Sequence, residues 1–223
     1  MWKEPLKWDR KCCESGTRQR VFCASLADVF EDWNGPVRRH DGCTMWECSQ
    51  CGIWRDGAVP EVQKVAVHCY EHGPCKPLTV QAIRRRLFAL IDQTPNLDWL
   101  LVTKRPENIV RMWPTPLNSP CRLGDGSVSH DFIGDRCVKC KGGNRQNVWL
   151  LTSVENQEQA DKRIPELLKC RDLAPVLGVS FEPLLESIDL HSSFPASQGP
   201  IDATSEFFDD STLPIDWGII GGE

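Results

Sequence analysis

Apolar residues in this chain gather in short unbroken runs, each closed by polar residues. Five runs share the form: Val21 onward in RVFCASLADVF, Trp99 onward in DWLLVTKRPE, Val148 onward in VWLLTSVENQ, Val176 onward in PVLGVSFEPL and Trp217 onward in DWGIIGGE. Near-continuous aliphatic and β-branched runs predict parallel strands covered on both faces. Helical patterns separate several of them. In LTVQAIRRRLFALIDQ, Val80, Ile83, Leu87, Leu90 and Ile91 fall on one helical face. PENIVRMW opens on Pro106, which suits a first helical turn, and stops before Pro114. NQEQADKRIPELLKC has helical composition, with Pro165 expected to break it into two short pieces. This alternation predicts an α/β fold with a parallel sheet, either a partial TIM-type barrel or an open sheet.

Two stretches fall outside the alternation. Residues 42–77 and 114–147 are rich in Cys, His, Gly and Pro and read as cysteine-rich insertions in a single α/β domain spanning 1–223. A third, residues 191–214, is polar and turn-rich and reads as a flexible surface loop.

Parallel α/β folds carry function on the loops at the carboxyl ends of their strands. That rule gives meaning to the polar closures of the five runs. Asp28, Lys104, Arg105, Glu155, Glu182 and Glu223 each follow a strand at a similar offset, so they are expected to line one edge. Lys104 and Arg105 suit an anionic group, Arg105 by bidentate contact. Glu155 and Glu182 suit amines, ribose hydroxyls or the neighbouring cations. Gly221 and Gly222 let a ligand approach the backbone closely.

Charge and composition narrow the classes. The net charge of -5 gives no basic field for nucleic acid. The densest basic run, Arg84–Arg86, reads as a solvated helix face. With 223 residues, 40% hydrophobic, the chain can bury one sizeable core. It has no apolar run of membrane-spanning length and no secretory-type N-terminus, so a cytoplasmic protein, without membrane partner, is expected.

In a reducing compartment, 12 cysteines at short spacing point to metal rather than disulfides. Cys48 and Cys51 have the two-residue spacing of a zinc knuckle, with Gly52 following. Cys69 and Cys75 would complete a tetrahedral site, though the choice among Cys69, His72 and Cys75 stays open. Cys137 and Cys140 form a second knuckle. Its partners are Cys121 and His130, or the two knuckles share one zinc. No open-site motif points to catalytic zinc. Cys23 reads as a small core residue, and Cys12 and Cys13 receive no role.

Taken in order, EPLKW, DWLLVTKRPENI, NVWLLTSVENQEQADKRIPELL, LGVSFEPLLESIDL and IDWGIIGGE resemble a phage-associated family known as gene product thirty-seven / gene product sixty-eight. It is a domain of unknown function found in phages, prophages and bacteria. The resemblance covers nearly all of the chain outside the insertions. Its most specific marks are T-K-R-P-E, S-V-E-N-Q, E-P-L-L and I-G-G-E together. It implies a radical-SAM-like partial barrel, with an iron–sulfur cluster and S-adenosylmethionine as cofactors and Glu223 resembling the acid of a G-G-E loop. The chain departs from the family at both ends, lacking the upstream cysteine triad and the closing element. The resemblance therefore implies a protein inactive alone, in a bacterial host cell, with a partner chain completing the barrel. A different class of reading is a zinc-knuckle module that contacts nucleic acid or protein, supported by Trp46 and Trp54 near the knuckles.

Overall fold

The computed structural model describes residues 3–23, 28–48, 50–51, 54–56, 68–69, 71–115, 132–133, 136–137, 144–190 and 215–220; at 54–56, 68–69, 132–133 and 136–137 it describes the backbone alone. The expected loop over 191–214 lies outside the described residues.

Helix α1 (Glu4–Ser15) ends at Gly16, whose φ of 66° is the left-handed cap that glycine adopts without steric cost. Strand β1 (Gln19–Cys23) follows. Five short strands come next: β2 (Met45–Glu47), β3 (Trp54–Asp56), β4 (His68–Cys69), β5 (Gly73–Pro74) and β6 (Lys76–Pro77). Helix α2 (Val80–Gln93) leads into β7 (Leu97–Thr103). Pro106–Asn108 form a 3₁₀ turn before the short helix α3 (Ile109–Met112). Strands β8 (Phe132–Ile133) and β9 (Arg136–Cys137) pair antiparallel. The chain continues through β10 (Val148–Ser153), α4 (Gln157–Leu168), β11 (Val176–Ser180) and β12 (Trp217–Ile219).

These elements gather into two compact units. Met1–Phe30 and Phe88–Glu223 form one; Glu31–Leu87, with β2 to β6, form the other. In the first unit, β1, β7, β10, β11 and β12 make a single sheet in chain order. Every neighbouring pair is parallel, and the sheet curls into a half-barrel. All five apolar runs are therefore strands of one sheet. Burial on both faces holds for β7, β10 and β11 but not for β1 or β12. Those two are edge strands with one neighbour each, and β1 begins at Gln19, two residues before its apolar run.

One face of the sheet packs Val154 and Val179 against Ala160 and Ile164 of α4. The other clusters Leu100, Val102 and Leu151, with Trp149 and Ile219 packed against them. Each such aliphatic side chain contributes about 1.5–3 kcal/mol by leaving water. Gly178 is required by close approach: a Cβ there would lie 2.9 Å from the Trp217 carbonyl oxygen. No helix among the described residues is long and apolar enough to cross a membrane.

Two helical expectations need correction. Pro165 does not break α4, which runs unbroken from Gln157 to Leu168. Burial of Ala160, Ile164 and Leu167 at helical spacing outweighs the cost of about 3 kcal/mol for an internal proline. On α2, Leu87, Leu90 and Ile91 are buried as expected, while Val80 and Ile83 are half-buried. The Arg84–Arg86 run is not a uniformly solvated face. Arg84 is buried and donates to the Glu31 carbonyl at 3.0 Å, and Arg86 pairs with Glu47 at 3.3 Å.

A buried cation anchors the first unit. Arg145, just before β10, donates to both Asp92 carboxylate oxygens (2.7 and 3.1 Å) and to the Pro114 carbonyl at 2.8 Å. Its guanidinium lies 4.7 Å from the Phe88 ring centroid and 5.3 Å from that of Trp113. Phe30 completes the aromatic group. Removing one partner of a buried pair strands the other charge, so Arg145→Ala should cost about 3–5 kcal/mol in urea unfolding. A loss below about 1 kcal/mol would show that Asp92 reaches water instead.

Candidate functional site

The carboxyl ends of β1, β7, β10 and β11 share one edge of the half-barrel. Asp28 is its hub. One carboxylate oxygen accepts from the Phe30 amide (2.9 Å) and the Thr103 hydroxyl (2.7 Å). The other accepts from the Lys104 amide and the Arg105 guanidinium, both at 3.1 Å. The Thr103 hydroxyl in turn accepts from the Arg105 amide at 2.9 Å. Four donors on one carboxylate fix the turn after β7, and that turn aims the two cations.

Glu155, two residues past β10, joins the same edge. Its Oε1 lies 2.5 Å from Lys104 Nζ and its Oε2 lies 2.7 Å from the Arg163 guanidinium. Arg163 also donates to the Ser153 carbonyl at 2.7 Å. Burial acts to raise the Glu155 carboxyl, but the hydrogen bonds and charges of Lys104 and Arg163 together outweigh it and hold the group below its ordinary value. The side chain of Asn156 caps α4 by accepting from the Gln159 amide at 3.0 Å. The cap starts the helix directly at the strand end and brings Arg163 back over it. Among Asp28, Lys104, Arg105, Glu155 and Arg163, three cations face two carboxylates. Lys104 and Arg105 are also the open ones, their side chains 54% and 42% exposed.

Two hydroxyls also end strands at this edge. Ser153 and Ser180 end β10 and β11 and are directly paired, and Ser180 is also paired with Ile219. Strand alternation puts Ser153 on the face of Leu151, away from α4. The residues are 7% and 3% exposed. Neither side-chain hydroxyl has a hydrogen-bond partner among the described residues. A buried hydroxyl without a partner costs about 1–3 kcal/mol, which a ligand hydrogen bond would recover.

Asp28, Lys104, Arg105 and Glu155 are thus brought together as the strand offset predicts. Glu182 follows β11 on an exposed stretch. Gly221, Gly222 and Glu223 lie outside the described residues. Sequence reasoning missed Thr103, Arg163, Ser153 and Ser180. The signal was present for the serines: two apolar runs, VWLLTS and VLGVS, both end in Ser.

The second unit carries a separate candidate metal centre. Cys48 Sγ, Cys51 Sγ and a His72 ring nitrogen all lie within 4.8 Å of one another. Cys48 Sγ is 3.8 Å from His72 Nδ1. That separation is long for a hydrogen bond. It suits one edge of a tetrahedron whose metal–ligand distances are about 2.0–2.3 Å. Two thiols and an imidazole form a donor set suited to zinc. His72, one of the open choices, belongs to the group. Cys69 and Cys137 are described in backbone only, and Cys121, His130 and Cys140 lie outside the described residues. Of the remaining thiols, Cys12 and Cys170 are buried and Cys13 is exposed.

The fold and its polar edge define a mixed α/β protein built on a parallel half-barrel. Residues 76–223 match the family described as "Protein of unknown function (DUF5131)", and the chain belongs to that family. No curated protein and no solved structure matches the chain.

The depressed Glu155 carboxyl fixes a pH dependence. A folded-state value below the ordinary 4.5 means that its stabilisation is complete above that pH and lost as pH falls through the lower folded value. Glu155→Gln should therefore cost about 1 kcal/mol at pH 7, with the two stability curves converging below pH 4.5. A gap that stays constant down to pH 3 in urea melts (about 1.5 units below the ordinary value) would mean that packing, not charge, gives Glu155 its effect.

Proposed function

We propose that this chain is the ligand-binding half-barrel of a phage- or prophage-associated protein of radical-SAM type. On this reading the carboxyl edge binds a small molecule with an anionic group and hydroxyl or amine groups, of which S-adenosylmethionine is the first to test. The observation that carries the reading is the pair of buried hydroxyls at Ser153 and Ser180, without a partner among the described residues, on the same sheet edge as Lys104 and Glu155. Lys104 and Arg105 would be the ligands of the anionic group. The serines would bind the neutral polar part, and Glu155 would orient Lys104.

An iron–sulfur cluster of radical-SAM type needs three thiolates. Among the described residues, Cys23 is the thiol at a carboxyl end of a sheet strand, and burial pushes it up to about 11, opposite to what a ligating thiolate needs. The described residues therefore do not fit the cluster.

Isothermal titration of the full chain with S-adenosylmethionine tests the reading. Binding is expected, weakened about tenfold by Ser180→Ala and about tenfold by Lys104→Ala, the worth of one hydrogen bond or exposed charge contact. Equal affinity in wild type and both variants, or no binding at all, would overturn it. A second reading is favoured by the Cys48, Cys51 and His72 group: a zinc-knuckle module that contacts nucleic acid or a protein partner. Steeply salt-dependent binding to DNA would support it, against the net charge of -5.

A further inference from the structure

Arg20 joins the two edges of the half-barrel. It is the second residue of β1, the outermost strand on one side. Its guanidinium lies 4.7 Å from the ring centroid of Trp217, on β12 at the far edge, and 4.8 Å from that of Trp149, on β10. The two rings meet edge to face, their centroids 5.2 Å apart. In a flat sheet of this strand order, four steps of about 4.8 Å would hold β1 and β12 about 19 Å apart. A guanidinium against a ring on the opposite edge is reached only because the sheet curls.

The register places all three side chains on one face. Phe22 is opposite Leu100, which is opposite Trp149; Trp217 is opposite Gly178, which is opposite Leu151. Arg20, two residues before Phe22, shares their face by strand alternation. It is the face of the Leu100, Val102 and Leu151 cluster, away from α4. Arg20, Trp149 and Trp217 are the second, second and first residues of their strands. The group therefore sits at the amino end of the half-barrel, opposite the end that carries Lys104, Ser153 and Ser180. Among the described residues, the two rings are the partners of the Arg20 guanidinium, and it has no carboxylate. A guanidinium is drawn to indole faces by the ring quadrupole and gives up its weak hydration readily.

Strand β12 gains from such a hold. It has three residues and one neighbouring strand. Its Ile219 pairs with Ser180, and the Ile219 carbonyl accepts from the Phe181 amide at 2.9 Å.

We propose that Arg20 is a clasp. It closes the amino end of the half-barrel from edge to edge and, through Trp217 and β12, positions Ser180 at the carboxyl edge. A ligand then reaches the sheet from the carboxyl edge. The positioning role rests on the binding reading above; the clasp itself does not.

Amide hydrogen exchange of the full chain tests the clasp. The reporters are the Asp216 and Phe181 amides, bonded to the Leu177 and Ile219 carbonyls across the β11–β12 pair. The control is the Trp99 amide, bonded to the Asn147 carbonyl in the middle of the sheet. Loss of two cation–π contacts in Arg20→Ala should lower protection of the reporters by roughly 5- to 30-fold and leave the control unchanged. Arg20→Lys, which keeps a cation, should restore most of that protection, and Arg20→Gln should not; this pair gives the same comparison if Arg20→Ala does not fold. S-Adenosylmethionine should bind Arg20→Ala about tenfold more weakly than wild type, with Arg20→Lys again restoring it. Unchanged reporters in Arg20→Ala would overturn the clasp. So would an equal fall at Trp99, which marks general destabilisation, or full recovery in Arg20→Gln. Loosened reporters with unchanged S-adenosylmethionine affinity would overturn the positioning role. If wild type does not bind S-adenosylmethionine, the binding reading and the positioning role fail together, and the amides still decide the clasp.

Discussion

The in-order parallel pairing of five strands is the constraint on which the rest of the first unit depends. A parallel neighbour can be reached only by a crossover, so each strand must be followed by a segment that returns the chain to the starting edge. Every strand then ends at the same edge. Residues far apart in sequence meet there because they occupy equivalent positions, not because the chain is locally folded. Asp28 and Thr103 are 75 residues apart, yet their side chains hydrogen bond because β1 and β7 lie side by side with Cys23 opposite Leu101.

The edge is polar for two different reasons. Asp28 is saturated by four donors, and its role is to hold the turn after β7. Lys104 is different. It pairs with Glu155, which is shared with the more buried Arg163, and its own side chain is more than half exposed. An exposed ion pair of this kind is worth about 0–1 kcal/mol, so an arriving anion can draw Lys104 away at little cost. On the same edge, Ser153 and Ser180 end β10 and β11 with buried hydroxyls. On the proposed reading a bound ligand would supply the partners these hydroxyls lack among the described residues.

The second unit meets a different physical problem. Its strands are two or three residues long. So short a stretch of chain buries too little apolar surface to fold on that basis alone, and small units of this kind use metal or disulfides. Cys48, Cys51 and His72, gathered within this unit, fit that pattern. In both units buried polar groups, not apolar packing alone, mark where function or folding is concentrated.

The sequence by itself determined the five strands and their common direction. A run such as DWLLVT suits a strand buried on both faces, as in a parallel sheet, and helical segments lie between several of the runs. The expectation that Asp28, Lys104, Arg105 and Glu155 share an edge followed from that. What the sequence could not decide was set by packing at a distance. The unbroken α4 around Pro165 depends on the sheet beneath it, and the burial of Arg84 and Arg145 depends on carbonyl and carboxylate acceptors 31 to 53 residues away. That His72 joins Cys48 and Cys51 depends on tertiary placement, because two-residue spacing recurs at several places in a chain of 12 cysteines. Local patterns report which face of an element is buried; only the tertiary structure decides which partner is waiting there.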